Sequence, residues 1–180
     1  NLGITPPGEI DYPEELSSPY GRAIWREKLH NIANDDKTWP IFIKPYNGKQ
    51  FTGRLVTGIK DLIGCGRQEE VDIWCATPVN FVAEWRCFIY YDQVMDVRHY
   101  KGTWEKHFDP KIVKLALEMM KNKPAAFTID IGLTDDGRTL IVELNDGYSV
   151  GTYGLQPHLY CKFLSARWAE MVGIPDPCML

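Results

Sequence analysis

Alternation of apolar and polar positions is clearest in two runs, Phe127–Ile131 and Leu140–Leu144, on either side of Asp136-Gly137. A period of two marks strands with one face toward a core. Asp-Gly between such runs predicts a hairpin closed by a two-residue turn. In that register Phe127, Ile129 and Ile131 lie across from Leu140, Val142 and Leu144 on the core side. Asp130 then stands directly opposite Glu143 on the other face, bordered by Thr128 and Ile141, and Asn145 shares that face two residues further on.

The same pattern predicts strands over Phe81–Tyr91 and Val94–Tyr100, joined at Asp92-Gln93. Glu84 and Arg86 fall on one face of the first, Trp85 and Cys87 on the other, and the turn sets His99 opposite Arg86. Shorter strands are expected over Trp39–Pro45 and Val71–Val79, the latter breaking at Thr77-Pro78. Helical spacing, with Ser17-Ser18-Pro19 as a start signal, predicts a helix to Ala33 carrying Ile24, Trp25, Leu29 and Ile32 on one face. Asp109-Pro110 opens another through Lys121, and a last helix runs from Pro157 to Val172 before Gly173-Ile174-Pro175. Residues 58–64 give a weak helix or turn signal, and residues 1–16, rich in Pro, Gly and acids, read as an extended arm.

Composition narrows the function classes. The 180 residues suffice for one domain or two small lobes sharing a cleft, and 44% hydrophobic with 24% charged residues is ordinary for a globular protein. No apolar run nears the roughly 18 residues of a spanning helix, so no membrane role is expected. Net charge is −4 with dispersed basic residues, which argues against nucleic acid as a partner. The five cysteines (Cys65, Cys75, Cys87, Cys161 and Cys178) have no metal-finger spacing and are odd in number. They read as reduced, mostly buried thiols of a cytoplasmic protein. The chain opens on Asn1 without a signal-like segment, as expected of a piece cut from a longer protein.

Candidate chemistry centres on the opposed acids. Like charges facing across a hairpin destabilise it, and a divalent cation reverses that sign. Two carboxylates and an amide oxygen are hard ligands, suited to Mg²⁺ or Mn²⁺ rather than zinc. The competing reading is a solvated outer face. Lys44 at the end of an apolar strand, and Lys49 in a loop with Gly48 and Gly53, are placed to reach a polyphosphate or simply solvate a turn. Arg86 either pairs within the sheet or stabilises a transferring phosphoryl group. His30, His99, His107 and His158 are scattered and read as structural, and Tyr100 and Trp104 as packing.

In order, several pieces resemble an ATP-grasp protein. They are Phe42-Ile43-Lys44-Pro45, Lys49 with Phe51-Thr52-Gly53, Pro78-Val79, Glu84-Trp85-Arg86 and Tyr100-Lys101-Gly102. The series continues with Asp130-Ile131-Gly132, Glu143-Leu144-Asn145-Asp146-Gly147 and Tyr153-Gly154-Leu155. Within the superfamily they are similar to the phage-associated clade named for one arginine and two lysines, whose members are regarded as peptide-forming ligases. The resemblance implies an α+β fold of two lobes with antiparallel-rich sheets and flanking helices around a nucleotide cleft. It divides the chain into an arm and helix over 1–38, a first lobe over 39–76 and a second, metal-bearing lobe over 77–180. It implies that Lys44 and Lys49 hold phosphates and that the backbone around Trp74, Cys75 and Ala76 touches adenine. It gives Arg86 the transferring phosphoryl group, and Asp130, Glu143 and Asn145 one or two Mg²⁺ ions. Ser149, Gly151 and Tyr153 would border the substrate. The implied reaction joins a carboxylate to an amine through an acyl phosphate, with ATP converted to ADP and phosphate.

Two departures stand out. Relatives would carry Ser-Glu before Pro-Val where this chain has Ala76-Thr77, so Glu84 is the candidate substitute for the missing ribose-contacting acid. Only 38 residues precede Trp39, so a separate substrate lobe lies outside this chain or the acceptor is held by other means. A non-catalytic ATP-binding module, and a Mg-dependent nuclease or phosphodiesterase, are the alternatives.

Overall fold

The alternating runs build two four-stranded antiparallel sheets, with order β1-β4-β2-β3 in one and β6-β5-β7-β8 in the other. The computed structural model describes residues 4–48, 50–66 and 71–179. They divide between two compact units, Tyr20–Val79 and a discontinuous one made of Asn1–Pro19 with Asn80–Leu180. The α+β class read from the sequence is the class observed.

The stretch expected to be helical over residues 17–33 folds differently. A single turn, α1 (Ser17–Tyr20), stops at Gly21, whose φ of +58° is left-handed, and the chain extends into β1 (Ile24–Lys28) before coiling again in α2 (Leu29–Asn34). β1 pairs with β4 (Asp72–Ala76), Trp25 opposite Cys75. Sheet pairing overrides a local helical period when it supplies a full ladder of backbone hydrogen bonds. Leu29 and Ile32 reach the core through α2, joining Ile41 and Ile43 of β2 (Ile41–Pro45), Val56 of β3 (Arg54–Val56), and Ile73 and Cys75. The weak signal after Thr57 is a 3₁₀ turn over Ile59–Leu62.

In the larger unit, β5 (Phe81–Tyr90) lies between β6 (Gln93–Gly102) and β7 (Ala126–Thr134), with β8 (Thr139–Asp146) beyond β7. Every residue of β7 is buried. α3 (Lys111–Met119) starts where the Asp109 carboxylate accepts from the Lys111 N–H at 3.0 Å. α4 (Pro157–Val172) packs Phe163 against Phe88 and Ala126, and so covers one end of the face that carries Arg86. Trp85, Ala83 and Leu133 fill the opposite face with Val97 and Phe108.

Both hairpins turn differently from the sequence expectation. β5 and β6 are joined at Tyr91-Asp92, both with positive φ, not at Asp92-Gln93. With two register shifts along the pair, His99 faces Trp85, and Arg98, not His99, faces Arg86. In the β7–β8 hairpin the Gly137 N–H returns to Thr134 and the Thr134 N–H bonds Arg138, so the loop is three residues, Asp135-Asp136-Gly137. Gly137 takes the left-handed position such a loop needs, at φ +85°. That extra residue would put Asp130 out of step with Glu143, but a bulge at Val142 restores the pairing. Ile141 consequently lies opposite Ile131 and is fully buried, not beside the acids, and Val142 leaves the core ladder.

The N-terminal arm belongs to this same unit. The Asp11 carbonyl accepts from the Leu144 N–H at 3.0 Å, on the outer edge of β8 between Glu143 and Asn145, and Leu16 is completely buried. At the other end of β8, the Gly147 N–H bonds the Ala126 carbonyl at 3.1 Å. A Cβ on Gly147 would lie 2.2 Å from that oxygen, whereas one on Gly137 meets nothing within 4 Å. Gly147→Ala is therefore expected to cost about 3 kcal/mol, from forced backbone displacement. Gly137→Ala should cost only about 1 kcal/mol, from its dihedral. Urea unfolding of the two variants checks the ordering, and equal costs would show that the closure at Gly147 is dispensable.

Candidate functional site

Strand register assembles a charged row across the larger sheet. Arg98 faces Arg86, Arg86 faces Asp130, and Asp130 faces Glu143. The expected opposition of the two acids is therefore present, although it arises from a longer loop and a compensating bulge. Asn145 follows on the same face, its Nδ2 donating to Glu143 Oε1 at 3.4 Å.

Arg86 and Asp130 form a bidentate pair in the middle of the row. Nε donates to Oδ1 at 2.8 Å and Nη2 to Oδ2 at 2.6 Å, with both side chains less than a tenth exposed. The third guanidinium nitrogen, Nη1, donates to the Gly151 carbonyl at 3.2 Å, and the Tyr153 ring lies 4.6 Å from the guanidinium carbon. Arg86 is thus fully engaged by this unit's own groups, through the fork geometry that suits a guanidinium to a carboxylate. Burial pushes the Asp130 carboxyl up from 3.8 to about 6, against the bonds and charge of Arg86, and Glu143 and Glu84 push the same way. Burial opposes the Arg86 charge, but Asp130 outweighs it and its pKa is raised. The pair is ionised at neutral pH.

Glu84 shares the face, and both of its oxygens are occupied. Tyr100 Oη donates to Oε2 at 2.7 Å and Lys101 Nζ to Oε1 at 2.5 Å. Tyr100 stacks on Tyr153 with centroids 4.6 Å apart and planes at 14°, and its hydroxyl is held protonated by burial and by Asp130 and Glu84. The sequence reading of Tyr100 as mere packing missed this role. Tyr100 is the extra residue where Lys101 faces Glu84 and His99 faces Trp85, and strict alternation gives no sign of such a bulge. Gly151 and Tyr153, read as substrate neighbours, both touch Arg86. Ser149 is exposed and joins none of these groups among the described residues. Asp146 is engaged in a second bidentate pair, with Arg167 Nε and Nη2 at 2.8 and 2.7 Å, which ties α4 to the end of β8.

The smaller unit holds the remaining candidates. Lys44 pairs across the ladder with Trp74, Ile43 with Cys75 and Phe42 with Ala76. Trp74 and Tyr46 lie 5.5 Å apart, with the Arg26 guanidinium 3.9 Å from the Tyr46 centroid and 4.9 Å from that of Trp74. Nothing in the sequence pattern singles out Arg26, because the apolar spacing around it has a helical period. β4 is bonded on both edges as far as Ala76, so a backbone contact to a ligand from Trp74, Cys75 or Ala76 is disfavoured, and the ladder ends only at Thr77. Burial pushes the Cys75 thiol up to about 12, as it does that of Cys87, so neither is a nucleophile. All five cysteines are free. Lys49 lies outside the described residues.

Among the described residues no group of three or more His, Cys, Asp or Glu is gathered to hold a metal. The donor set that does gather is two carboxylates and an amide, Asp130, Glu143 and Asn145, all of hard oxygen type. Each Asp130 oxygen keeps a lone pair after its bond to Arg86, so the set fits a small divalent cation. No helix among the described residues is long and apolar enough to cross a membrane.

The sequence pattern of an ATP-grasp domain, family 2 of the clade named for one arginine and two lysines, matches residues 20–163, and the chain belongs to that family. Solved structures show the same fold at low identity. Macrocyclase MdnC from Microcystis aeruginosa, bound with its precursor peptide MdnA, superposes with TM-score 0.54 at 17% identity over 88% of this chain and 58% of its own. N5-carboxyaminoimidazole synthase from Aspergillus clavatus, in complex with ADP and its ribonucleotide, gives 0.54 at 13% identity over 92% and 50%. The Staphylococcus aureus synthetase with ADP gives 0.51 at 13% identity over 87% and 48%. The chain thus spans about half the length of these relatives. No curated protein matches it in sequence. The resemblance read from the motifs is the family found.

The buried pair makes two expectations testable. Arg86→Ala leaves Asp130 buried without its cation and should cost about 3–5 kcal/mol, whereas Arg86→Met combined with Asp130→Leu should recover most of that. A double variant as unstable as the single one would contradict this. A native pKa above the unfolded value means that the native state takes up the proton first. The contribution of Asp130 to stability is then fully present below pH 3.8 and is lost as pH rises through about 6. Unfolding free energies of wild type and Asp130→Asn, compared from about pH 4 to 7, should diverge in that window, and parallel profiles would contradict the shift.

Proposed function

We propose that this chain carries the nucleotide- and metal-binding part of an ADP-forming carboxylate–amine ligase. The observation that carries the reading is the facing pair Asp130 and Glu143, with Asn145 on the same side, in a member of the ATP-grasp family. In this reading Lys44 and Lys49 serve the phosphates of ATP, and adenine lies against the backbone that follows the last ladder bond, Thr77 N–H to the Ala23 carbonyl. Asp130, Glu143 and Asn145 would hold Mg²⁺, or Mn²⁺ in its place. The bound cation would neutralise phosphate charge and fix the phosphates for in-line transfer.

The chain's own residues supply orientation. Arg86, held by Asp130, presents a fixed positive charge beside the cation ligands, and Glu84 fixes Tyr100 under Tyr153. The γ-phosphoryl would pass to a substrate carboxylate, with ADP leaving. An amine would then attack the acyl phosphate, expel phosphate and leave an amide or peptide bond. Positioning and charge stabilisation account for most of the rate in such transfers. The solved relatives named above were crystallised with ADP or with a precursor peptide, which supports a nucleotide and a carboxylate- or amine-bearing partner. Ala76-Thr77 in place of a ribose-contacting acid, with both Glu84 oxygens already taken by Tyr100 and Lys101, favours a second reading, a module that binds ATP without turning it over.

Glu143→Gln is the cleanest test, because Glu143 lies outside the Arg86–Asp130 pair. Wild type should be stabilised by Mg²⁺ with a non-hydrolysable ATP analogue, and the variant should lose at least about ten-fold in Mg-dependent affinity with little change in its unliganded melting point. Equal Mg-dependent shifts would overturn the metal assignment. ADP release in the presence of a carboxylate and amine panel separates ligase from binding module.

A further inference from the structure

On the face that carries Asp130, two buried polar atoms lack a partner among the described residues, Arg98 Nε at the β6 edge and a hydroxyl beside the cation ligands. Thr128 is completely buried, and its hydroxyl oxygen has no hydrogen-bond partner among the described residues. A buried hydroxyl without a partner costs stability, and such a group in a native fold calls for a reason. Strand register gives its position. Thr128 lies two residues before Asp130, hence on the same face, and stands directly opposite Asn145 on β8, with Phe88 opposite on β5. Directly paired residues have Cβ atoms about 4.5–5.5 Å apart, within reach of a side-chain hydrogen bond.

Asn145 has the complementary need. Its Nδ2 donates to Glu143 Oε1 at 3.4 Å, at the outer limit of a hydrogen bond. An asparagine that serves a hard cation must turn Oδ1 toward it, and its two N–H groups then require acceptors elsewhere. Phe88 offers none, and with the cation in place the Asp130 oxygens are shared between Arg86 and the metal. The acceptor standing across the strand pair is Thr128 Oγ1.

We infer that Thr128 is a positioning residue for the cation site, its Oγ1 accepting from Asn145 Nδ2 when Asn145 Oδ1 turns to the metal. The inference rests on the proposed cation site at Asp130, Glu143 and Asn145. Hydrogen bonds of this outer kind fix a ligand's orientation and set metal affinity about 10–100-fold. In the nucleotide-free chain the hydroxyl is a stability cost retained for that purpose.

The test measures Mn²⁺ affinity, by the loss of the free-ion electron paramagnetic resonance signal, in the presence of a non-hydrolysable ATP analogue. Thr128→Val should weaken Mn²⁺ binding about ten-fold while leaving the nucleotide-free protein as stable as wild type or more so, since it removes a buried unpaired hydroxyl. Thr128→Ser should restore affinity. In an Asn145→Ala background, Thr128→Val should have no further effect, because its action runs through Asn145. Unchanged affinity in Thr128→Val, or a loss matched by a fall in melting temperature, would overturn the inference. So would an additive effect in the Asn145→Ala background. Glu143→Gln serves as the control: if it too binds Mn²⁺ like wild type, the cation site itself is wrong, and if it alone loses the metal, only the role of Thr128 is.

Discussion

The buried Arg86–Asp130 pair is the constraint around which the larger sheet is organised. Two charges taken out of water are tolerated only when their geometry is close to ideal. Here two bonds of 2.8 and 2.6 Å satisfy that condition. The pair fixes β5 against β7 at mid-strand, draws the Gly151 carbonyl and Tyr153 ring onto the guanidinium, and leaves Glu143 at the end of the row with an acid for a neighbour. What would otherwise be repulsion between Asp130 and Glu143 is offset on one side by Arg86. On the other side a cation would offset it.

Around that row, much of the polar chemistry serves rigidity. Glu84 is clamped by Tyr100 and Lys101, and Asp146 by Arg167. The outer edge of β8 is covered by the arm at Asp11. The last two hold Glu143 and Asn145 from the C-terminal end of their strand and from outside it. A site that orients phosphates gains from such preorganisation, since reorganisation at the moment of transfer is avoided. Thr128 Oγ1 is the unsatisfied atom beside the cation ligands, as Arg98 Nε is at the far edge of the row.

The sequence made the central geometry legible because alternation and a turn dipeptide specify register. Even so, the agreement at Asp130 and Glu143 came through two deviations that cancel, a three-residue loop and a bulge at Val142. Bulges leave no clear mark in a hydrophobic pattern, and the β5–β6 pair shows the consequence. Its turn sits one residue earlier than the dipeptide suggested, and the partner of Arg86 changes from His99 to Arg98. Residues 17–33 depart from their apolar pattern for another reason. Their apolar spacing fits a helix, but β4 offers an unpaired edge that only tertiary structure reveals, and β1 takes it. Side-chain engagement was equally hidden. Strand alternation places Arg86 and Glu84 on one face, but cannot say that all their polar atoms are already partnered.

The most direct measurement is a crystal structure of this chain with Mg²⁺ and a non-hydrolysable ATP analogue. The expected result is a cation about 2.1 Å from oxygen atoms of Asp130, Glu143 and Asn145, shared with the nucleotide phosphates. A nucleotide bound with its cation away from those three side chains would contradict the assignment.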